Sequence, residues 1–161
     1  MRTSSRSAAT LLVTALTGLL FLVTAPAALA ASQNWYSASS PLTAWENDAK
    51  QALAYGTAYT KDGYLKNHSY YKDPRSGGDS VYTETTYSFK ESTPYGEQWG
   101  SQTGKDQSAR DNSGYWVDQY DKYDYSGRAT ASWGRVHVKV CEDQNNSPDP
   151  CSTKPYFTFA I

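Results

Sequence analysis

The chain has 161 residues, enough for one domain, and carries 14 Tyr, 5 Trp and 4 Phe. Lys+Arg number 15 against 16 Asp+Glu, a balance that excludes a basic nucleic-acid binder. The class that remains is an exported, disulfide-bearing, β-rich protein without a reaction centre.

Residues 1–30 begin with Arg2 and Arg6, run through an apolar stretch over 11–23 and close on Ala28-Leu29-Ala30. A basic start, a short apolar middle and small residues at the end describe a secretory signal peptide. The apolar stretch is shorter than the ~20 residues that a membrane span needs, and no second one follows. Secretion to the extracellular space is therefore expected, with no membrane attachment after cleavage. Removing thirty residues from 161 leaves 131, and losing two arginines leaves 13 Lys+Arg against 16 Asp+Glu, a formal charge of −3.

The mature chain holds three Leu, five Val, one Ile and no Met, but 22 aromatic residues. Each aromatic ring can bury ~150–250 Å². A thin, aromatic-walled core is expected, with most of Trp99, Trp116 and Trp133 inside it. Aromatic and Thr enrichment favours strands over helices.

Residues 31–40 (ASQNWYSASS) lack periodicity and read as an arm whose adhesive residues are Trp35 and Tyr36. In 41–48 (PLTAWEND), Ser40 before Pro41 permits a helical turn carrying Leu42 and Trp45. Residues 31–48 are thus expected to form an extended N-terminal arm, ahead of a β-sandwich domain over 49–161. From 50 to 60, Gln51, Leu53, Tyr55, Thr57 and Tyr59 alternate with Ala52, Ala54, Gly56 and Ala58, a strand pattern. Asp62-Gly63 signals a hairpin, and 64–71 returns antiparallel. Residues 72–80 hold Pro74, Gly77 and Gly78 and form a loop.

The segment 81–90 is a strand with Val81, Thr83, Thr85, Tyr87 and Phe89 on one face. Residues 91–113 are polar and glycine-containing, which predicts a long loop with a short strand near 98–100. Residues 115–125 form a further strand. The segment 129–141 is the strongest, with Val136, Val138 and Val140 on one face. Ala129, Ala131 and Trp133 occupy the opposite parity, which predicts a β-bulge at Gly134. Residues 156–161 return against 132–140. The sum is all-β: a small antiparallel sandwich, Ig-like in size.

Cys141 and Cys151 in an exported chain predict one disulfide. Its 11-residue loop would stabilise the fold by about 2–3 kcal/mol. Free or metal-ligating thiols are the alternative.

Chemistry-bearing motifs are scarce. His68 and His137 fit no zinc pattern, and neither a nucleophile elbow nor a phosphate loop occurs. His137 lies between Arg135 and Lys139 on a polar strand face, the position of a surface residue. Asp118, Asp121 and Asp124 recur every third residue, which scatters them over both faces of a strand. Asp143, Asn145, Asn146 and Asp149 could offer oxygens to calcium, with a solvated loop as the simpler reading. No catalytic residue, metal or cofactor is assigned. Tyr and Trp on a sandwich face could instead grip carbohydrate, and a disulfide-closed loop over 142–155 could serve a protease inhibitor as bait.

Three segments carry a resemblance: Pro41-Leu42-Thr43-Ala44-Trp45, YLKNHSYYKDPR over 64–75, and VHVKVCEDQNNSPDPCS over 136–152. Together they resemble small exported actinobacterial β-sandwich proteins, in particular the adaptor subunits of umbrella toxin particles. That resemblance implies a non-enzymatic adaptor in interbacterial antagonism. Its N-terminal extension would insert into a cleft of a lectin-bearing partner, and its globular part would hold a toxin chain. Carried onto this sequence, it implies partner-binding anchors at Trp35, Tyr36, Leu42 and Trp45. An aromatic-bearing arm suits a groove or a sheet edge. An arm folded back over its own sandwich is the competing reading.

Overall fold

The computed structural model describes residues 31–161, and the expected signal peptide lies outside the described residues. Among the described residues, ten strands form two antiparallel sheets. They are β1 (Ser32–Trp35), β2 (Leu42–Glu46), β3 (Ala49–Lys61), β4 (Tyr64–Lys72), β5 (Ser80–Thr93), β6 (Gly96–Trp99), β7 (Thr103–Gln107), β8 (Val117–Asp124), β9 (Ala131–Asp143) and β10 (Tyr156–Ala160). The first sheet runs β1-β3-β4-β8, and β2 lies end to end with β1 along the same edge of β3. The second runs β10-β9-β5, with β6 and β7 sharing the other edge of β5. The all-β sandwich with a Cys141–Cys151 disulfide is thus present.

Two-residue turns set the register of the first sheet. Asp62 and Gly63 both have positive φ and place Lys61 opposite Tyr64, the backbone twist that a tight hairpin requires. Asn47 and Asp48 do the same between Glu46 and Ala49. This second turn selects between the two readings of the arm, the one folded back over its own sandwich being the arrangement present. Residues 31–48 are extended, but they double back as two edge strands instead of standing off the domain. The boundary expected at residue 48 falls inside a hairpin, and 41–48 contains no helical turn. Asn-Asp with both residues left-handed reverses the chain, so β2 has nowhere to pair but the edge of β3.

The core differs from the aromatic wall expected. β3 turns Ala52, Ala54, Gly56 and Ala58 towards the second sheet, and all three alanines are fully buried. They share one cluster with Leu65 of their own sheet and with Val136, Val138, Val140, Tyr87, Phe89 and Phe159 of the second. Trp35 is the one tryptophan in that cluster. Trp133 is 41 % exposed, while Trp99 and Trp116 are half-buried on outer faces. Small residues on β3 let the sheets close, and bulk is supplied from the strands opposite. A Cβ on Gly56 would stand 2.1 Å from the His68 carbonyl oxygen and 2.8 Å from Trp35 Cζ2.

The bulge expected at Gly134 lies two residues earlier. Lys90 pairs Trp133 while Glu91 pairs Ala131, so Ser132 is the extra residue. Gly134 sits in register opposite Phe89, and a Cβ there would meet Leu65 Cδ1 at 2.7 Å. Its lack of a side chain serves close sheet packing. The expected loop over 91–113 is also shorter than predicted, because β5 extends to Thr93 and β6 and β7 follow.

A buried polar chain ties the two sheets. Trp35 Nε1 donates to Asn67 Oδ1 at 3.0 Å, and Asn67 Nδ2 donates to Ser69 Oγ at 2.7 Å and Thr85 Oγ1 at 2.9 Å. Thr85 Oγ1 donates to Asp121 Oδ2 at 2.6 Å, and Gln119 Nε2 donates to Asp121 Oδ1 at 2.8 Å. Asn67 thereby satisfies its carbonyl and both amide protons inside the core.

Candidate functional site

The side of the first sheet that faces away from the core carries a continuous row of rings. Pairing places Tyr55 opposite Tyr70, Thr57 opposite His68, and His68 opposite Tyr120. Ring centroids step 4.8 Å from Trp116 to Tyr55, 5.0 Å to Tyr70, 4.5 Å to His68 and 3.8 Å to Tyr120. The alternation that buries alanine on β3 produces this row on the other face.

The orientation of the rings decides what the row can do. Tyr55 and Tyr70 lie 16° from parallel, and His68 and Tyr120 lie 17° from parallel. Each pair spans neighbouring strands at about the strand spacing. Ring planes therefore stand up from the sheet, with faces against one another and edges outward. Within each pair the facing sides of the two rings are covered by one another. Tyr120 is 63 % exposed, and its hydroxyl is pushed up by desolvation and by nearby Tyr70, Asp118 and Tyr59. His68 Nε2 lies 3.3 Å from Asp118 Oδ2, which holds the imidazole in the row.

Two shallow grooves adjoin the row. One, of about 250 Å³, is lined by Asn34, Tyr36, Tyr55, Thr57 and Tyr70 among others. The other, of about 290 Å³, is lined by Tyr59, Lys66, Tyr120, Asp121 and Lys122. The structure divides the four anchors expected on the N-terminal segment. Trp35 and Leu42 are each 2 % exposed and belong to the core. Tyr36, 48 % exposed with φ of 54°, joins the first groove. Trp45, 53 % exposed, stands apart with Lys50 Nζ 5.7 Å from its ring centroid.

The outer side of the second sheet is the other concentration of chemistry. Ser88 Oγ and His137 Nε2 are 2.8 Å apart, and both residues are buried. Burial first, then Lys154 and Arg135, pushes the imidazole down to about 4. His137 is neutral near pH 7, and the Tyr156 ring packs beside it at 5.5 Å. Glu84 lies nearby with Lys139, Lys154 and Lys105 at 3.4, 3.3 and 3.9 Å. Burial raises its pKa, but the Gln107 hydrogen bond, Lys139 and Lys154 prevail and hold it below the usual carboxyl range. Arg135 is packed between Trp99 at 3.6 Å and Tyr156 at 4.2 Å. His137 is thus a packing residue rather than the surface residue expected.

The loop closed by Cys141 and Cys151 engages its own acids. Asp149 accepts from Tyr82 Oη at 2.7 Å and from the Gln144 amide at 3.0 Å, and Asp143 accepts from Arg110 at 2.8 Å. Among the described residues no group of three or more His, Cys, Asp or Glu is placed to hold a metal. No protein-family model, curated protein or solved structure matches the chain.

The residues that sequence reasoning left unassigned are Tyr55, Tyr59, Tyr64, Lys66, Tyr70 and Lys122. The signal was present: the Asp62-Gly63 turn fixes Tyr59 opposite Lys66 and Tyr55 opposite Tyr70. Which side of the alternation faced inward was the missing step.

Proposed function

We propose that this protein is a secreted, non-enzymatic binding subunit that works by protein–protein contact, with the aromatic face of the first sheet as its main docking surface. The supporting observation is the unbroken row Trp116–Tyr55–Tyr70–His68–Tyr120. Tyrosines offer large, rigid contact area at low entropic cost together with a hydrogen-bonding tip. Rings braced against each other are already immobilised, which lowers the cost of ordering them on binding. In the setting that the sequence resemblance implies, the subunit joins a lectin-bearing protein to a toxin chain in an interbacterial toxin particle.

A free-standing carbohydrate-binding module is the second reading, and ring orientation weighs against it. Sugar rings stack on open aromatic faces, whereas Tyr55 and Tyr70, and His68 and Tyr120, each turn one face against the other.

Affinity purification of the tagged protein from the culture medium of its own host, followed by mass spectrometry, tests the proposal. Retention of a lectin-bearing protein and a long toxin chain is expected, with loss of at least one of them from a Tyr70→Ser, Tyr120→Ser double variant. A variant that retains every partner overturns the aromatic docking face. Binding to cellulose, chitin or peptidoglycan without any protein partner favours the carbohydrate reading.

A further inference from the structure

Lys66 on β4 and Lys122 on β8 are directly opposite each other across the strand pair. Like charges in that position oppose folding. Neither lysine forms an ion pair among the described residues. Aromatic rings gather them instead: Lys66 Nζ lies 5.5 Å and Lys122 Nζ 5.3 Å from the centroid of Tyr64, and Lys66 Nζ lies 6.0 Å from that of Tyr59. Two ammonium groups are thereby drawn towards one ring, and both lysines line the 290 Å³ groove.

The acids nearby are engaged elsewhere. Asp121 turns inward to Thr85 and Gln119. Asp118 lies beside His68, and Asp124, opposite Tyr64, accepts the Ser126 amide at 2.8 Å. The groove therefore holds two positive charges whose arrangement works against the sheet that carries them.

We propose that Lys66 and Lys122, framed by Tyr59, Tyr64 and Tyr120, seat the carboxylate of an aspartate or glutamate side chain on a protein partner. The inference rests on the docking-face reading and assigns its specificity. A carboxylate between two ammonium groups relieves their repulsion and makes charge-assisted hydrogen bonds.

The test is a titration of the isotope-labelled chain from Ala31 with oligoglutamate, oligoglutamine and polygalacturonate, followed by backbone amide NMR. Oligoglutamate is expected to shift signals around residues 66 and 122 saturably, about tenfold more weakly in a Lys66→Gln, Lys122→Gln variant. The response should fade as ionic strength rises from about 0.05 to about 0.5 M. Equal shifts with oligoglutamine, or no shifts near these lysines, overturn the proposal. A response to polygalacturonate without one to oligoglutamate assigns the site to acidic polysaccharide and overturns it too. Melting temperature is the second readout: Lys122→Glu should raise it by removing the repulsion, while abolishing the oligoglutamate response. If partner capture survives in the lysine variant but fails in the tyrosine variant, the carboxylate seat falls and the docking face stands.

Discussion

Asn67 on one sheet donates to Thr85 Oγ1 on the other at 2.9 Å, and the same hydroxyl donates onward to Asp121. One hydroxyl therefore links strands β4, β5 and β8 through the interior. Thr85 is fully buried, as is Asn67, so none of these groups can turn to water. Asn67→Leu would leave the Trp35 indole proton without its acceptor and Thr85 without its donor. A loss of about 2–4 kcal/mol is expected, read as a lower urea midpoint at unchanged slope. An unchanged midpoint would show that the chain of bonds contributes nothing to stability.

Gly56 sets how closely β3 approaches its neighbours. Alanine there places a methyl group 2.1 Å from the His68 carbonyl oxygen, and that backbone atom cannot rotate away. Gly56→Ala should destabilise by more than about 3 kcal/mol, seen in thermal melts or as loss of soluble protein. Gly127, whose Cβ would meet nothing within 4 Å, is the matched control and should accept alanine.

The pH dependence of stability carries the signature of His137. Its folded pKa is pushed down from 6.5 to about 4. In that interval the unfolded chain takes up the proton and the folded chain does not. Stability from this residue is complete above about 6.5, falls as pH drops, and levels off below about 4, with roughly 3 kcal/mol at stake. Glu84, held below 4.5, loses its contribution at lower pH still. Asp106, raised above 3.8 by burial and by Asp121, acts in the opposite sense. Denaturant midpoints between pH 7 and 4 should fall for the natural chain and flatten in His137→Gln.

Reducing the Cys141–Cys151 bond frees an 11-residue segment. A loss of about 2–3 kcal/mol is expected from loop entropy. The Val140 amide to Ser152 Oγ contact at 3.1 Å and the Tyr82–Asp149 bond would still tether the loop, so the sandwich should stay folded. Urea curves with and without a phosphine reductant measure the difference.

Much of the sandwich was legible because alternation and turn chemistry are local. The Val136-Val138-Val140 face and the Asp62-Gly63 hairpin follow from patterns within a dozen residues, and the return of β10 against β9 follows from the alternation of each strand on either side of the disulfide loop. The doubled edge of β3 was not. Asn47-Asp48 signals a turn more weakly than Asp-Gly, and the apolar residues of 41–48 fit a helical turn as well as a strand. The Ser132 bulge was displaced to Gly134 because glycine commonly marks one, whereas Gly134 answers to Leu65 on the opposite sheet, a contact no local pattern reveals. The aromatic face was hidden for the same reason. Nothing within β3 says whether tyrosine or alanine turns inward until the bulk of β4, β5 and β9 is known.

The division of labour along β3 has a consequence for how this molecule can change. Its inward alanines and glycine seal the interior, while its outward tyrosines leave that seal untouched. Residues 55, 59, 64, 70 and 120 can therefore be exchanged as a set with the scaffold intact, as paratope positions are on an antibody framework. A library varied at those five sites would make this small sandwich a display platform for new specificities.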